Sequence, residues 1–454
     1  MADLSINCAG IKSPNPFWLA SAPPTNTGDQ VMRAFDAGWG GAVWKTLGEP
    51  IVNVTSRFGG LDINGQRLAG LNNIELITDR PLEVNLKEIA EVKRRYPKHA
   101  VIVSLMFETK DEWRDIIKRS EDTGCDGLEL NFGCPHGMCE RGMGSAVGQE
   151  PRVLEEITGW VKEFAKTPVL VKLTPNITDI RLPGRAAARA GADGISLINT
   201  IKSLIGVDLD KLVPFPVVGN RSTNGGYCGP AVKPIALHMV AQLAQDPAVR
   251  KPISGIGGIS NWRDAAEFMA LGATSVQVCT AVMHYGFRIV EDMIEGLDAY
   301  LDEKGLKSAM DLVGMAVPAF SDWGNLDMNH KVMAKIDPMK CIGCDLCHIA
   351  CRDGSHDCIH FHDQGSPALE DVKAVIAKRE GAPPAHRIPY VAAHECTGCN
   401  LCSLVCPVEG CITMVDVTPN KSPESWNERM ERLGNHQDAV AFTKNYQGWH
   451  RSGH

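Results

Sequence analysis

Short apolar segments alternate with amphipathic segments along most of the chain. Eight apolar segments follow one another, at residues 17–20, 42–44, 101–105, 127–130, 169–171, 194–198, 252–255 and 275–278. Between them, apolar residues recur with the spacing of a helix, at residues 84–95, 111–122, 152–166, 231–244 and 261–270. Eight such β-α units in series predict an α/β fold, a (β/α)8 TIM barrel with parallel strands.

A weak internal repeat at the helix-to-strand junctions supports the barrel. The junctions have the sequences A-G-W-G-G from Ala37, T-G-C-D-G from Thr123, A-G-A-D-G from Ala190 and L-G-A-T-S from Leu271. Each places a glycine just after a helix, where the left-handed conformation that ends a helix costs least. A doubly wound sheet also alternates strands and helices, but it has fewer strands, so we favour the barrel.

Polar side chains and glycines follow the predicted strands. In a (β/α)8 barrel the C-terminal ends of the strands meet at one face, where active sites are built. The residues at these ends are Ser21, Lys45, Thr46, Asn131, Cys134, Lys172, Asn199, Thr200, Gly257, Gly258, Cys279 and Thr280. Together they predict a catalytic mouth, although a solvated loop accounts for any single one. The last two strands end in I-G-G-I and Q-V-C-T, where barrels bind phosphate, so we expect a phosphate-bearing cofactor.

The segment E-L-N-F-G-C-P-H-G-M-C-E-R-G-M-G-S-A-V-G, at residues 129–148, is typical of an active-site lid. It ends a strand, presents Asn131 and Cys134, and continues as a glycine-rich loop. A thiol at a strand end can donate a proton, a carboxamide can hydrogen-bond a planar ligand, and glycines allow the loop to close. The alternative is a buried structural cysteine beside an ordinary loop.

Two cysteine motifs lie in the C-terminal part of the chain. K-C-I-G-C-D-L-C-H-I-A-C from Lys340 and E-C-T-G-C-N-L-C-S-L-V-C-P from Glu395 share the spacing C-x2-C-x2-C-x3-C. Four thiolates at this spacing bind a [4Fe–4S] cluster, and in paired motifs the fourth cysteine ligates the other cluster. We therefore assign one cluster to Cys341, Cys344, Cys347 and Cys406, and the other to Cys396, Cys399, Cys402 and Cys351. Zinc is the competing metal, but its ligands come as two separated pairs.

Composition limits the class of protein. The chain has 454 residues, a formal net charge of −8 and a pI near 6.0, which excludes a basic surface for nucleic acid. No apolar run reaches the ~20 residues that span a bilayer, and the first residues do not resemble a secretory signal, so we expect a cytoplasmic protein without membrane contact. Disulfides are rare in the cytoplasm, so the 16 cysteines indicate metal.

The change of pattern near residue 325 predicts three segments. Residues 1–325 form the barrel, residues 326–418 form a ferredoxin-like domain with both clusters, and residues 419–454 form a polar extension. The few aromatic residues that could anchor the extension are Trp426, Phe442, Tyr446 and Trp449. Within the cluster domain, residues 362–387 are polar and contain proline, which predicts a surface excursion. Cys358 and Cys411 remain as core thiols.

Several motifs in a fixed order resemble dihydropyrimidine dehydrogenase, and in particular the catalytic subunit of the bacterial two-subunit NAD-dependent enzyme. The motifs are N-N-I-E-L-I from Asn72, the lid from Glu129, K-L-T-P-N-I-T-D-I from Lys172 and the pair of cysteine motifs. The resemblance extends over residues 3–415. It implies an oxidoreductase acting on CH–CH bonds, with an FMN barrel of the dihydroorotate dehydrogenase type. Such an enzyme reduces uracil or thymine to the 5,6-dihydropyrimidine in pyrimidine degradation.

The resemblance also implies roles for single residues. FMN contacts are carried over to Ser21, Lys45, Thr46, Lys172, Gly229, Gly257, Gly258, Cys279 and Thr280, and pyrimidine contacts to Asn73, Asn131, Asn199 and Thr200. Cys134 is implied to protonate C5 while FMN N5 gives hydride to C6. Carboxamides match the edge of uracil without burying a charge, and Lys172 would stabilise negative charge on the reduced flavin. One departure is Gly133, where the long form of the family has a serine.

Electrons are expected to arrive from a second protein. The segment G-M-G-S-A-V-G after Arg141 imitates a dinucleotide fingerprint, but its third glycine is one residue late and no β-α-β unit frames it. The resemblance implies a partner subunit that carries FAD and oxidises NAD(P)H, in a hetero-oligomer that contains a homodimer of this chain. Two alternatives stay open. One is a dihydroorotate dehydrogenase, which lacks the cluster segment and has C-P-N where this chain has Cys134-Pro135-His136; the other is a non-catalytic iron–sulfur electron carrier.

Overall fold

The computed structural model of the chain describes residues 2–48, 51–63, 65–418 and 421–434. The chain divides into two compact units, Met1–Phe320 and Ser321–His454. Trp323 belongs to the second unit, where its ring centroid lies 5.8 Å from that of Trp426. None of the helices in these described ranges is long and apolar enough to span a lipid bilayer.

Eight parallel strands close into a barrel in the first unit, which confirms the predicted (β/α)8 fold. Each predicted apolar segment forms one strand, and strands that follow each other in the chain are neighbours in the barrel. All residues of these strands are buried, which explains why continuous apolar runs mark them in the sequence. The strands are β1 (Phe17–Leu19), β2 (Gly41–Leu47), β3 (Ala100–Leu105), β4 (Gly127–Asn131), β5 (Val169–Lys172), β6 (Gly194–Leu197), β7 (Ile253–Ile256) and β8 (Ala273–Val278).

Helices cover the barrel and bury one apolar face each. In Lys110–Glu121, the buried Trp113 and Ile116 lie one turn apart on the same face. Thr109 begins this helix, because its hydroxyl accepts the Glu112 N–H (3.3 Å) while the Glu112 carboxylate accepts the Thr109 N–H (2.8 Å). The other described α-helices of this unit are Gly28–Ala37, Leu82–Arg95, Ser145–Gly148, Pro151–Phe164, Arg181–Arg189, Lys233–Gln245, Trp262–Ala270, Thr280–Tyr285, Ile289–Lys304 and Ala309–Leu312.

Buried polar side chains cross the inside of the barrel. Glu129 on β4 has no exposed surface, and its Oε2 accepts hydrogen bonds from Ser196 Oγ on β6 (2.8 Å) and Gln277 Nε2 on β8 (2.9 Å). Lys172 Nζ on β5 lies 3.3 Å from Glu129 Oε1. A buried carboxylate is stable only when it is paired and hydrogen-bonded. Side chains from three other strands must therefore meet around this one carboxylate.

A four-stranded antiparallel sheet joins two insertions in the barrel, and the sequence analysis did not predict it. Its strands, in spatial order, are Ile201–Ser203, Gly225–Cys228, Gln66–Asn73 and Phe58–Ile63. The pairing of Gly226 with Asn73 joins segments that follow β6 and β2. Glycines at several strand positions weaken the hydrophobic pattern. Two short hairpins complete the strands of this unit that the structure describes, Ile6–Cys8 with Ile11–Ser13 and Val207–Asp208 with Val213–Pro214.

The second unit contains two antiparallel strand pairs, Val332–Ile336 with Ile412–Asp416 and Ile359–His360 with Tyr390–Val391. Its described α-helices are Leu346–Gly354, Pro367–Ile376, Leu401–Leu404 and Trp426–Leu433. Residues 419, 420 and 435–454 of the expected polar extension, with Phe442, Tyr446 and Trp449, lie outside the described residues.

The segment at residues 362–387 packs into the second unit, which corrects the predicted surface excursion. Leu369 and Ile376 of the helix Pro367–Ile376 are buried in the same apolar cluster as several of the cysteines. Arg379 donates a hydrogen bond to the Cys341 carbonyl oxygen at 2.6 Å. A few apolar positions at helical spacing are enough to anchor a segment that is polar elsewhere, which is why its composition was misleading.

Candidate active site and cluster cavities

A cavity opens at the C-terminal ends of the barrel strands, and together with the solvent at its open side it contains about 1140 Å³ of empty space. It brings together all the barrel residues that the sequence analysis selected. They are Ser21, Lys45, Thr46, Asn73, Asn131, Cys134, Lys172, Asn199, Thr200, Gly229, Gly257, Gly258, Cys279 and Thr280. The unpredicted four-stranded sheet forms part of the wall, since Phe58, Leu71, Tyr227 and Cys228 also line the cavity.

Hydrogen bonds within the protein fix the amide groups at the mouth. Asn131 Nδ2 donates to Thr46 Oγ1 (3.0 Å), and Asn131 Oδ1 accepts from Asn199 Nδ2 (2.9 Å). Asn199 Oδ1 in turn accepts the Thr200 N–H (2.8 Å), and Asn73 Nδ2 donates to the Gly226 carbonyl oxygen (3.0 Å). An amide nitrogen has two hydrogens and each of these nitrogens uses one of them here, so every one of the three carboxamides keeps an N–H for a ligand. The amides are therefore oriented before a ligand binds.

The absence of a side chain at Gly133 has a structural reason. A Cβ atom placed there would lie 2.3 Å from Asn199 Cβ and 2.6 Å from Asn199 Nδ2. Gly133 N–H also donates to Asn131 Oδ1 at 3.3 Å. Asn199 thus occupies the space that a serine at this position would need, and Asn199 itself bonds to Asn131 there.

Three glycines lie close together at the end of β7. Gly257 and Gly258 have φ values of +129° and +76°, which side chains rarely adopt. A Cβ atom at Gly258 would lie 2.8 Å from the Lys233 backbone nitrogen and 2.9 Å from the Gly229 carbonyl oxygen. Because glycines have no side chain, a phosphate can approach the backbone N–H groups here, beside Cys279 and Thr280. Lys45 and Lys172 supply positive charge for the polar ring of a flavin. The donor set therefore fits FMN.

Both lysines of the cavity are paired with buried carboxylates that the sequence analysis missed. Lys45 Nζ donates to Glu75 Oε1 at 2.9 Å, and Arg57 Nε lies 3.2 Å from the same oxygen. Lys172 is paired with Glu129, as described above. Glu75 stands two residues after Asn73 in N-N-I-E-L-I. Side chains two positions apart in an extended segment face the same side, so the assignment of Asn73 to the cavity was a signal for Glu75 as well. Glu129 begins the lid segment, but the sequence alone does not show that it faces the barrel interior.

The lid segment is packed beside the cavity, which its residues Asn131, Cys134 and His136 line. The Ser145 N–H donates to the Cys134 carbonyl oxygen at 3.0 Å, so the two ends of the loop are joined. Met138 and Met143 are buried in a small apolar cluster with Ile77. These contacts hold the half-buried Cys134 thiol against the cavity and reduce its access to water.

Burial keeps the Cys134 thiol protonated, as a proton donor must be. Desolvation raises the pKa of its thiol to about 11, and a hydrogen bond from the His136 backbone only partly opposes this. The thiol therefore stays protonated below that pH, whereas an ordinary cysteine ionises near pH ~8.5.

If Cys134 is the acid, we expect the reduction step to keep its rate as the pH is raised from about 7 to about 9, because its thiol stays protonated over this range. The measurement is single-turnover oxidation of the reduced flavin by uracil at a series of pH values. A rate that falls with an apparent pKa of ~8.5 would contradict the buried, protonated thiol.

Two smaller cavities in the second unit bring the predicted cluster ligands together. The first cavity is lined by Cys341, Cys344, Cys347 and Cys406, and the second cavity by Cys351, Cys396, Cys399 and Cys402. In each cavity the fourth cysteine comes from the other motif. Four thiols around one cavity are the ligand set that a [4Fe–4S] cluster needs, so the residues fit this group. The buried Cys411 and Cys358 also line the first and second cavities.

The crossed arrangement predicts which cluster each fourth cysteine supports. Cys351→Ser should give the same loss of a paramagnetic signal as Cys396→Ser, and Cys406→Ser the same loss as Cys341→Ser. Electron paramagnetic resonance of the reduced variants measures this, with Cys358→Ser as a control that keeps both signals. If Cys351→Ser instead matches Cys341→Ser, the cysteines ligate within their own motifs.

Comparison with known proteins finds a matching family model for each of the two units. A dihydroorotate dehydrogenase family model matches residues 3–301, and a 4Fe-4S dicluster domain model matches residues 334–414. A solved structure of dihydroorotate dehydrogenase from Eimeria tenella, in complex with ferulenol, has a TM-score of 0.57 and 19% identity. It covers 69% of this chain and 88% of that chain, and it supports the fold alone.

Relatives of known name cover different shares of the chain. The NAD-dependent dihydropyrimidine dehydrogenase subunit PreA of Escherichia coli (strain K12) is 41% identical over 417 residues, which cover 91% of this chain and 96% of that protein. The chloroplastic dihydropyrimidine dehydrogenase (NADP(+)) of Arabidopsis thaliana is 42% identical over 342 residues, 72% of this chain and 80% of that protein. The catalytic subunit of dihydroorotate dehydrogenase B (NAD(+)) from Pyrococcus abyssi is 38% identical over 316 residues, 69% of this chain and 99% of that protein.

The fold and the site define a flavin barrel joined to a two-cluster unit. The chain therefore belongs to the dihydroorotate dehydrogenase family, within its dihydropyrimidine dehydrogenase members. This family binds FMN, and the second unit is a dicluster iron–sulfur domain.

Proposed function

We propose that the chain is the catalytic subunit of a dihydropyrimidine dehydrogenase, which reduces uracil and thymine to their 5,6-dihydro forms. The observation that carries the proposal is the single cavity in which Cys134, three asparagines and Thr200 lie beside a glycine-rich phosphate cradle. The identity to the Escherichia coli and Arabidopsis thaliana proteins, which bear this activity in their names, supports it.

Each part of the cavity has a defined task in this reaction. Asn73, Asn131 and Asn199, with Thr200, hold the pyrimidine through its amide edges and remove it from water without burying a charge. The protonated Cys134 thiol, which lines the same cavity as these amides, protonates C5. When bound, FMN supplies the hydride that C6 receives. Lys45 and Lys172, each paired with a carboxylate, set the charge around the flavin ring.

The direct test is anaerobic oxidation of the reduced protein by a panel of pyrimidines. Uracil and thymine should reoxidise the flavin, which the absorbance change follows, while cytosine, which lacks the amide pattern, should not. A protein whose flavin no pyrimidine reoxidises would favour the alternative of an iron–sulfur electron carrier.

The proposal includes a partner subunit, as the name of the Escherichia coli relative suggests. The partner carries FAD and oxidises NAD(P)H, and the two clusters of this chain relay its electrons to the FMN. The catalytic chain forms a homodimer within that hetero-oligomer, in the cytoplasm. All 16 cysteines are unpaired, which is consistent with a reducing compartment.

The partner requirement gives a further expected result. The purified chain, loaded with FMN and clusters, should reduce uracil with dithionite but not with NADH, because it has no fingerprint for a nicotinamide or FAD. Steady-state assays with each reductant measure this. Robust NADH-dependent turnover by the chain alone would show that no partner is needed.

A further inference from the structure

The two cluster cavities differ in the polar side chains that line them, which are Ser355, Thr397 and Asn400 in the second cavity and Asp345 in the first. Ser355 lines the second cavity, and its Oγ lies 3.1 Å from Cys399 Sγ. Ser355 follows Cys351 by four positions, whereas the residue four positions after Cys406 is Gly410. Among the described residues that line the first cavity, none carries a hydroxyl group. The two motifs are therefore alike in their cysteines but not in the hydrogen bonding around them.

Backbone contacts hold Ser355 in this position. The Ser355 N–H donates to the Cys351 carbonyl oxygen at 3.1 Å, and the Asp357 N–H donates to the same oxygen at 3.0 Å. The Cys358 N–H donates to Cys351 Sγ at 3.3 Å. The loop after the helix Leu346–Gly354 thus bends around one thiol of the second cavity and presents its hydroxyl to another.

Ligation determines the direction of the Ser355 hydrogen bond. A cysteine that ligates iron is a thiolate and has no proton to give, so Ser355 O–H must donate to Cys399 Sγ. One added electron increases the negative charge on the cluster and its sulfur ligands. A hydrogen bond to sulfur stabilises that charge and raises the reduction potential.

We propose that Ser355 is a positioning residue that acts through Cys399 to raise the reduction potential of the cluster in the second cavity. The inference rests on the cluster assignment made above. Among the described residues, three cations lie near the first cavity, and each contacts an oxygen atom. Arg379 donates to the Cys341 carbonyl oxygen at 2.6 Å, Arg387 pairs with the Asp345 carboxylate, and Lys340 Nζ lies 3.4 Å from the Gly410 carbonyl oxygen. These contacts are not hydrogen bonds to a cysteine sulfur, so they are not equivalent to the contact between Ser355 and Cys399.

The test is a redox titration of the full-length protein with both clusters, followed by electron paramagnetic resonance. Ser355→Ala should lower one of the two midpoint potentials and leave the other unchanged. We expect a roughly tenfold change in the ratio of reduced to oxidised cluster at fixed potential, which is ~59 mV for a one-electron couple. Ser355→Thr keeps the hydroxyl and should restore the original potential.

Ser403→Ala is the matched control, because Ser403 lies next to Cys402 but its hydroxyl donates to the Asn400 carbonyl oxygen at 3.1 Å. Both potentials should stay unchanged in this variant. The role of Ser355 would be overturned if Ser355→Ala left both midpoint potentials unchanged. It would also be overturned if Ser403→Ala shifted a midpoint potential as much as Ser355→Ala does. Absence of two cluster signals in the unmodified protein would overturn the cluster assignment itself, and this inference with it.

Discussion

Replacing Cys134 with alanine should leave the flavin bound and reducible but lower the rate of pyrimidine reduction by at least ~10²–10⁴-fold, the usual contribution of a general acid. The thiol lines the cavity beside the amides that we assign to the pyrimidine, and desolvation raises its pKa to about 11. The variant lacks the thiol that we propose as the proton donor to C5. Stopped-flow oxidation of the reduced flavin by uracil measures the loss.

Cys139 provides the control for this experiment. It lies on the same lid, five residues further along, and its Sγ donates to the Pro135 carbonyl oxygen at 3.4 Å. Cys139→Ala removes a lid thiol without removing the proposed acid, so it should reduce uracil at nearly the original rate. Normal turnover by Cys134→Ala would mean that Cys134 is a structural thiol.

Orotate should be a poor substrate, with kcat/KM at least ~10²-fold below that of uracil, while thymine should be accepted. Orotate carries a carboxylate at C6, and burying an unpaired carboxylate costs several kcal/mol, where ~1.4 kcal/mol is a factor of ten. Lys45 and Arg57 already lie against Glu75, and Lys172 lies against Glu129. These cations are therefore already engaged and do not replace the hydration of an incoming carboxylate.

Steady-state kinetics with dithionite as reductant would measure all three pyrimidines. Glu75→Gln offers a sharp comparison, because it removes the negative charge and frees Lys45 and Arg57 to meet an anion. In this variant, the ratio of kcat/KM for uracil to kcat/KM for orotate should be smaller than in the unmodified protein. Orotate turnover equal to that of uracil in the unmodified protein would instead place the chain with the dihydroorotate dehydrogenases in function.

The barrel could be predicted because its signal is local. Each strand is a short apolar run that is buried on both faces, and each helix has its own apolar stripe. Knowing that strand ends converge was then enough to select Asn131, Lys172 and Asn199 for one mouth. Cys134 followed from its place at the beginning of the lid.

The wall of the cavity could not be predicted in this way. Its sheet depends on pairing between Asn73 and Gly226, and neither segment has a clear strand pattern by itself. Glu75 was visible in the sequence, but its partners Lys45 and Arg57 come from other segments. The same limit applied to Glu129, whose contacts with Ser196 and Gln277 cross the barrel. Charged side chains that contact each other only in the folded chain produce no periodic pattern in the sequence.

The four-stranded sheet also has a consequence for the order in which the chain matures during synthesis. The hydrogen bond from Asn73 to Gly226 spans 153 positions, so the wall cannot form until the segment after β6 has left the ribosome. By then β4 and the lid, with Cys134, have already been made. The nascent chain therefore passes through a stage at which it carries its thiol without an enclosed pocket.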